Sequence, residues 1–270
     1  MELFSVLVSV YYNENPNYFK DALYSIWDGQ EIKPSEILLV EDGPLPLQIE
    51  EIINEFVQHT PTKIIKFKKN MGMGTAFNEG LKYCSFELVA RMDTDDIAKS
   101  DRFEKQIHVF QEYPDVDVVG TWIDEFEGNI SNIISIRKLP EYHEEIFKFA
   151  KKRSPMNHPT VMFKKTAVIA AGGYKRFLLE DYYLWVRMLM NGAKFYNIQE
   201  SLLFFRFSSD MFKRRGGWKY VIDEFKFQKT IRKIGFISSM DFIRNVSIRF
   251  MIRIVPNFLR IFLYKTLLRK

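Results

Sequence analysis

Three carboxylates crowd into Arg91-Met92-Asp93-Thr94-Asp95-Asp96, at the end of an apolar run. Like charges this close repel, so the cluster is costly unless a cation neutralises it. Carboxylate oxygens suit a hard divalent ion, Mg²⁺ or Mn²⁺, which keeps positions open for phosphate oxygens. A solvated acidic turn capping the next helix is the plainer alternative, and Asp-x-Asp alone is common by chance. Val40-Glu41-Asp42-Gly43-Pro44 places a second acidic pair at a strand end. A carboxylate there can accept from a base N–H or a ribose hydroxyl, although an ordinary Asp-Gly turn has the same sequence. The run from Asn70 through Gly72, Gly74 and Asn78 to Gly80 puts glycines before a helix. Such backbone approaches an anion closely and points N–H groups at it. No Gly-Lys-Ser/Thr follows, and the glycine spacing is wrong for the dinucleotide fingerprint. Glu180-Asp181 opens an apolar-faced helix, where acids are common for dipole reasons and where one of them can serve as a general base. His158 has no second histidine at ligand spacing, so it reads as a core or acceptor-wall residue.

The elements around these residues alternate. Strand patterns at Phe4–Tyr11, Glu36–Glu41, 63–67, 87–92 and 116–122 are separated by helical spacing at Phe19 to Trp27, Ile49 to Phe56, 75–83 and a helix capped by Ser100. Alternation of this kind predicts an α/β fold with a mostly parallel sheet covered on both faces, its ligands beyond the carboxyl ends of the strands. The second half is less regular. It shows a strand near 160–163, a short helix at 165–171, a helix over 180–190 closed by Asn191-Gly192, and helical pattern from Tyr220 onward.

Order and spacing of the four motifs together resemble the family 2 glycosyltransferases of GT-A fold, over roughly residues 3–210. The matching pieces are Ser5 to Asn13, Val40-Glu41-Asp42-Gly43, Asn70-x-Gly-x-x-x-Ala76-x-Asn78-x-Gly80, Asp93-Thr94-Asp95-Asp96 and Glu180-Asp181-Tyr182-Tyr183-Leu184-Trp185-x-Arg187. Asn157-His158-Pro159-Thr160 brings the resemblance closer to bacterial enzymes that build capsule, exopolysaccharide or O-antigen. The resemblance implies an inverting, metal-dependent transfer of one sugar from a nucleoside-diphosphate sugar, with a UDP-sugar favoured, to a lipid-linked saccharide. It implies that Asp42 reads the base, with Tyr11 and Glu14 near the nucleotide pocket. Asn70, Gly72, Asn78 and Arg91 belong to the same donor site. Asp93 and Asp95 hold Mn²⁺ or Mg²⁺ and the diphosphate, and Asp181, or alternatively Glu180, is the acceptor base. Arg206 and Arg214-Arg215 fall where a loop could close on the diphosphate. Glu41 departs from the Asp of many members. No Gln-x-x-Arg-Trp follows the acidic pair, which argues against a processive synthase.

The implied division is a catalytic domain over 1–215, with a nucleotide-sugar half to about 122, followed by a helical extension over 216–270. Residues 242–270 carry seven cations and no anion, leaving 32 basic against 34 acidic residues in 1–241. That asymmetry points the tail at an anionic membrane surface and points away from nucleic acid, whose groove would need cations in the body. Pro256 breaks the tail into two shorter helical pieces, and its cations recur too often for a spanning helix. A single cysteine, Cys84, excludes an internal disulfide and fits a reducing compartment, with the protein peripheral on the inner membrane face. The apolar start at Leu3 reads as a buried strand and not a signal peptide. Three rivals stay open: a sugar nucleotidyltransferase, whose Gly-rich basic loop is missing after the first strand, a membrane scaffold, and a silent sugar-nucleotide sensor.

Overall fold

A computed structural model describes residues 2–177, 179–207 and 218–254. The first half runs β1 (Phe4–Val10), α1 (Pro16–Ile26), β2 (Glu36–Glu41), α2 (Leu47–Val57), β3 (Thr62–Lys66), α3 (Met73–Tyr83) and β4 (Leu88–Met92). Each strand alternates between two apolar layers. Val6, Val8 and Val10 of β1 pack with Phe19, Ile53 and Phe103 on one face, and Leu7 packs with Phe77, Leu81 and Trp185 on the other. Burial on both faces is why these strands read as continuous apolar runs. Asn15 starts α1 by accepting from the Asn17 and Tyr18 N–H groups at 3.0 and 3.3 Å, with Pro16 in the first turn.

After β4 come β5 (Ile97–Ala98), α4 (Arg102–Glu112), β6 (Val116–Phe126), β7 (Ile133–Arg137), α5 (His143–Ala150), a single 3₁₀ turn (His158–Thr160), β8 (Met162–Lys164), α6 (Lys165–Ala170), α7 (Glu180–Met190) and β9 (Lys194–Arg206). The strands form one sheet in the order β3-β2-β1-β4-β8-β6-β9-β5, with β7 on the edge of β6. Strands β1, β2, β3, β4, β6 and β9 point the same way, because β6 lies antiparallel to β8, which is itself antiparallel to β4. The expected mostly parallel α/β sheet is present. The order reverses between β1 and β4, and ligands of open α/β sheets bind at such a point.

Two helices close the described chain, α8 (Trp218–Lys233) and α9 (Ser239–Ile254), turning at Gly235. They run antiparallel, and α8 inserts Phe227 and Ile231 into the core beside Tyr182. Among the described residues, no helix is long and apolar enough to cross a membrane.

Several boundaries differ from the sequence reading. Ser100 does not cap α4. Its hydroxyl donates to Glu31 at 3.0 Å, and the helix starts at Arg102 after Asp101. β6 continues four residues past Trp122, because its polar residues Asp124 and Glu125 are buried against Lys99 and Arg137. The strand expected at 160–163 is a 3₁₀ turn followed by the three-residue β8.

Candidate functional site

The carboxyl ends of β1, β2 and β4 meet at one edge of the sheet. Asp42 follows β2 and is buried. Its two oxygens accept from the Met71 and Gly72 N–H groups at 2.6 and 2.9 Å, and Asn70 Nδ2 donates to the Asp42 carbonyl at 3.3 Å. Asp42 therefore anchors the loop that leads into α3. Gly43 makes the crossing possible: it sits at φ +97°, and a Cβ there would lie 2.7 Å from Asn70 N. Glu41 is buried and pairs with Lys66 at 2.9 Å. Glu14 follows β1 and accepts from the Thr94 hydroxyl, joining the β1 and β4 ends across the switch point. Tyr11 is exposed at the same edge, its ring edge-on to Tyr12.

Asp93, Asp95 and Asp96 bring ligand oxygens within 4.8 Å of one another. Arg91, buried beneath them on the Phe77 ring, holds both oxygens of Asp93 in a fork, one at 2.7 Å. Crowding by protein atoms, then the charges of Asp93 and Glu14, push the Asp95 carboxyl up to about 7, although the side chain keeps contact with solvent. Asp96 is fully buried. Its Oδ1 accepts from the Arg206 N–H at 2.9 Å, while Oδ2 has no hydrogen-bond partner. Burial, then the Asp95 and Asp93 charges, hold Asp96 well above the usual carboxylate range. Crowded oxygen donors with an orphaned buried oxygen fit a hard divalent cation, which would relieve both the repulsion and the orphan. Asp93 and Asp95 were the expected pair; Asp96 joins them, and its place directly after Asp95 was the available signal.

Glu180 and Asp181 open α7. The Glu180 carboxylate sits on the N-terminus of α3 at Gly74, with the Phe177 backbone also beside it. A Cβ on Gly74 would fall 2.5 Å from Glu180 Oε2, so this position needs glycine for room. Loss of solvent raises the Glu180 carboxyl above its ordinary value, against the Gly74 and Phe177 N–H groups, which favour its charged form. Asp181 is half-buried in the same turn. Tyr174 lies in the loop before α7 and is buried, and that burial raises its phenol above the ordinary range. Its hydroxyl lies 3.0 Å from His158 Nε2. Nothing in the sequence marked Tyr174.

Other expected residues are spent on structure. The Asn78 amide is used on both sides of the Tyr174 backbone, accepting from its N–H and donating to its carbonyl, each at 2.7 Å. Arg187 of α7 donates to the Ala171 and Gly173 carbonyls and braces the same loop. His158 is buried among Phe77, Tyr174 and Trp185. Arg206 does not belong to a closing loop. It ends β9, donates through Nε to the Asp95 carbonyl at 2.9 Å, pairs with Asp21 at 3.4 Å and stacks 3.8 Å from the Tyr18 ring. Strand pairing and three partners fix it in place. Arg214 and Arg215 lie outside the described residues.

The family described as Glycosyl transferase family 2 matches residues 5–175. The chain is similar to an Escherichia coli UDP-Gal:alpha-D-GlcNAc-diphosphoundecaprenol beta-1,3-galactosyltransferase, at 38% identity over 99% of this chain and 97% of that one. It is similar to the amylovoran biosynthesis glycosyltransferase AmsE of Erwinia amylovora, at 36% identity over 97% and 98%. In fold it resembles S. aureus TarS 1-349 in complex with UDP-GlcNAc, with TM-score 0.66 and 16% identity, over 86% of this chain and 66% of that one. It also resembles a Pyrobaculum calidifontis mannosyltransferase in complex with GDP-Man and Mn²⁺, with TM-score 0.63 and 15% identity, over 90% and 68%.

Proposed function

We infer the reaction of this chain from one premise: it belongs to glycosyl transferase family 2. It is a glycosyltransferase that moves one sugar from a UDP-sugar to a lipid-linked saccharide in bacterial surface polysaccharide synthesis. The observation that carries this reading is that the N-terminus of α3 lies between the two acidic groups: Arg91, which forks Asp93, reaches Met73 Sδ at 3.5 Å, and a Cβ on the next residue, Gly74, would fall 2.5 Å from Glu180 Oε2. In this reading a leaving-group site and a base site share one helix end, as a single displacement at the anomeric carbon requires. One displacement inverts that carbon.

The nucleotide takes the edge formed by Tyr11, Glu14 and Asp42. Each Asp42 oxygen carries one loop N–H and keeps a lone pair for the base. Asn70 and Gly72 shape that loop, and Asn78 positions Tyr174. Asp93, Asp95 and Asp96 would hold a divalent ion, Mn²⁺ or Mg²⁺, which supplies charge neutralisation at the diphosphate. Arg91 fixes the orientation of Asp93. Asp181, half-buried in the first turn of α7, takes the proton of the acceptor hydroxyl, with Glu180 beside it as the alternative base. The acceptor's lipid places the enzyme on the inner membrane face, where soluble donor meets membrane-bound acceptor.

A panel of UDP- and GDP-sugars tests the reading, with a lipid-diphosphate saccharide as acceptor and Mn²⁺ or chelator present. Acceptor-dependent release of nucleotide that stops with chelator is expected. Donor binding with no turnover on any acceptor would instead make the chain a sugar-nucleotide sensor, and chelator-insensitive turnover would remove the metal from the reading.

A further inference from the structure

The hairpin of α8 and α9 holds a groove that the catalytic site does not use. It encloses about 240 Å³. One wall is Trp218, Ile222 and Phe225 of α8, at the spacing of a single helical stripe, the other is Val246 and Phe250 of α9, and the Glu224–Arg249 pair, 2.7 Å apart and neutral together, also lines it. Trp218 and Phe250 face each other at 6.3 Å between ring centroids, and Trp218, Ile222, Phe225 and Phe250 are all exposed. The surface inside the groove is almost entirely carbon. At the other end lies Gln228, fully buried. Its Oε1 accepts from Asn245 at 3.0 Å, while its Nε2 has no partner. A buried donor left unpaired is costly unless a ligand oxygen reaches it.

The two ends are oriented. Gln228 neighbours Phe227, whose ring lies 4.6 Å from Tyr182, the residue after Asp181. The polar end therefore lies at the level of α8 that packs on the helix carrying the acidic pair. Trp218 is ten residues from Gln228 along α8, about 15 Å at helical rise, and marks the end away from that helix. Residues 218–254 carry eight cations and three acids, an excess that favours an anionic ligand. A ligand that is anionic at one end and hydrocarbon at the other matches this arrangement.

We propose that this groove seats the first units of the prenyl chain of a polyprenyl-diphosphate acceptor, with the diphosphate at the Gln228 end and the hydrocarbon running toward Trp218 and Phe250. The assignment rests on the lipid-linked acceptor proposed above. It adds a specificity site to it: the enzyme senses the lipid itself, and not the membrane alone.

The test uses the full chain and two acceptors with one sugar-diphosphate head, one on a long polyprenyl chain and one on a short alkyl chain. Wild-type kcat/KM is expected to favour the long chain at least tenfold. The double variant Ile222→Ser/Phe250→Ser replaces two exposed side chains and should fold. Its long-to-short ratio should fall at least tenfold, through KM of the long-chain acceptor. Gln228→Met should raise KM for both acceptors without changing the ratio. An unchanged ratio in the double variant overturns the groove and leaves the acceptor reading intact. Turnover of neither acceptor sinks the acceptor reading and the groove with it. A dimer that the double variant dissociates, or a chain ending at Ile254 that gains long-chain affinity, would give the groove to a second copy or to residues 255–270 and also overturn the assignment.

Discussion

Of the two adjacent acids on α7, Glu180 lies against the N-terminus of α3, where a Cβ on Gly74 would fall 2.5 Å from its Oε2. The Gly74 and Phe177 N–H groups favour the charged form of Glu180, and a base held in this way loses that support when it takes a proton. Asp181→Asn should therefore lower kcat by roughly a hundred- to ten-thousand-fold with donor affinity kept, since the base acts on the acceptor. Glu180→Gln should fall less and lower the thermal midpoint, because it removes a charge from a helix N-terminus. The reverse pattern, read by steady-state kinetics and nucleotide titration, moves the base by one residue. His158 makes a separate prediction about stability. Burial, then the Arg91 charge, hold its ring well below the ordinary histidine range, so the folded form stays neutral. Below about pH 6.5 the unfolded chain takes up a proton that the folded one refuses. Its contribution is complete above that pH and shrinks as pH falls, by up to about 1.4 kcal/mol per unit. Urea midpoints between pH 8 and 5.5 should slope less in His158→Gln than in the wild type. Equal slopes would remove His158 as the source.

At the scale of the element, α4 ties the two halves of the sheet together. Only the three-residue β8 separates β4 from β6. Arg102, fully buried, donates to the Arg91 carbonyl at 2.7 Å and to Gln106 Oε1 at 3.1 Å. Gln106 then donates to the carbonyls of Val119 in β6, at 3.1 Å, and Thr160, at 2.8 Å. Burial, then the Arg91 charge, lower the Arg102 guanidinium to about 9, against the attraction of Asp96 and Asp93. A buried cation with no carboxylate in contact is poor for stability. Arg102→Met should accordingly leave the thermal midpoint within several degrees of wild type, while nucleotide release falls at least tenfold and half-saturation by Mn²⁺ rises. Arg102→Lys, which keeps a donor and a charge, should recover part of the loss. Full activity in the Met variant would reduce Arg102 to packing. This brace also shows where the sequence was opaque. Asp101-Arg102-Phe103-Glu104-Lys105-Gln106 reads as the charged first turns of a helix, and no periodicity marks two of its polar residues as buried. Strands β1, β2 and β4 were legible because burial on both faces leaves unbroken apolar runs, and α7 because its apolar stripe lies between an acidic start and Asn191-Gly192. β9 was not, because Gln199 and Glu200 interrupt its pattern where the register with β6 shifts. Asp93 and Asp95 were legible as like charges in sequence. Tyr174 and Arg102 act only through tertiary neighbours.

At the scale of the whole molecule, charge is divided between a near-neutral body and a cationic end, and membrane docking should follow that division. The described part of the end already presents Met240, Ile243, Ile248 and Phe250 to solvent among Arg244 and Arg249. Residues 255–270 lie outside the described structure and add Arg260, Lys265, Arg269 and Lys270. Each cation near an anionic leaflet contributes about 1 kcal/mol, so these four suffice for reversible attachment and their loss should be measurable. Charge alone sets residues 242–270 apart as the tail, but α9, which spans Ser239–Ile254, is part of the packed structure. Asn245 donates to the Lys151 carbonyl at 2.8 Å, and Arg249 donates to the Lys152 carbonyl at 2.8 Å and pairs with buried Glu224 at 2.7 Å. Ending the chain at Ser238 removes the cation paired with buried Glu224, and breaking a buried pair typically costs about 3–5 kcal/mol. Ending it at Ile254 leaves those contacts whole. In co-sedimentation with vesicles containing anionic lipid, the full chain should bind and release in high salt. The chain ending at Ile254 should bind several-fold less yet keep its thermal midpoint and its nucleotide affinity. The chain ending at Ser238 should lose thermal stability as well. Equal vesicle binding by the full chain and the chain ending at Ile254 would take the terminal cations out of the anchor, and binding that survives high salt would make the attachment apolar and leave the cationic end without that role.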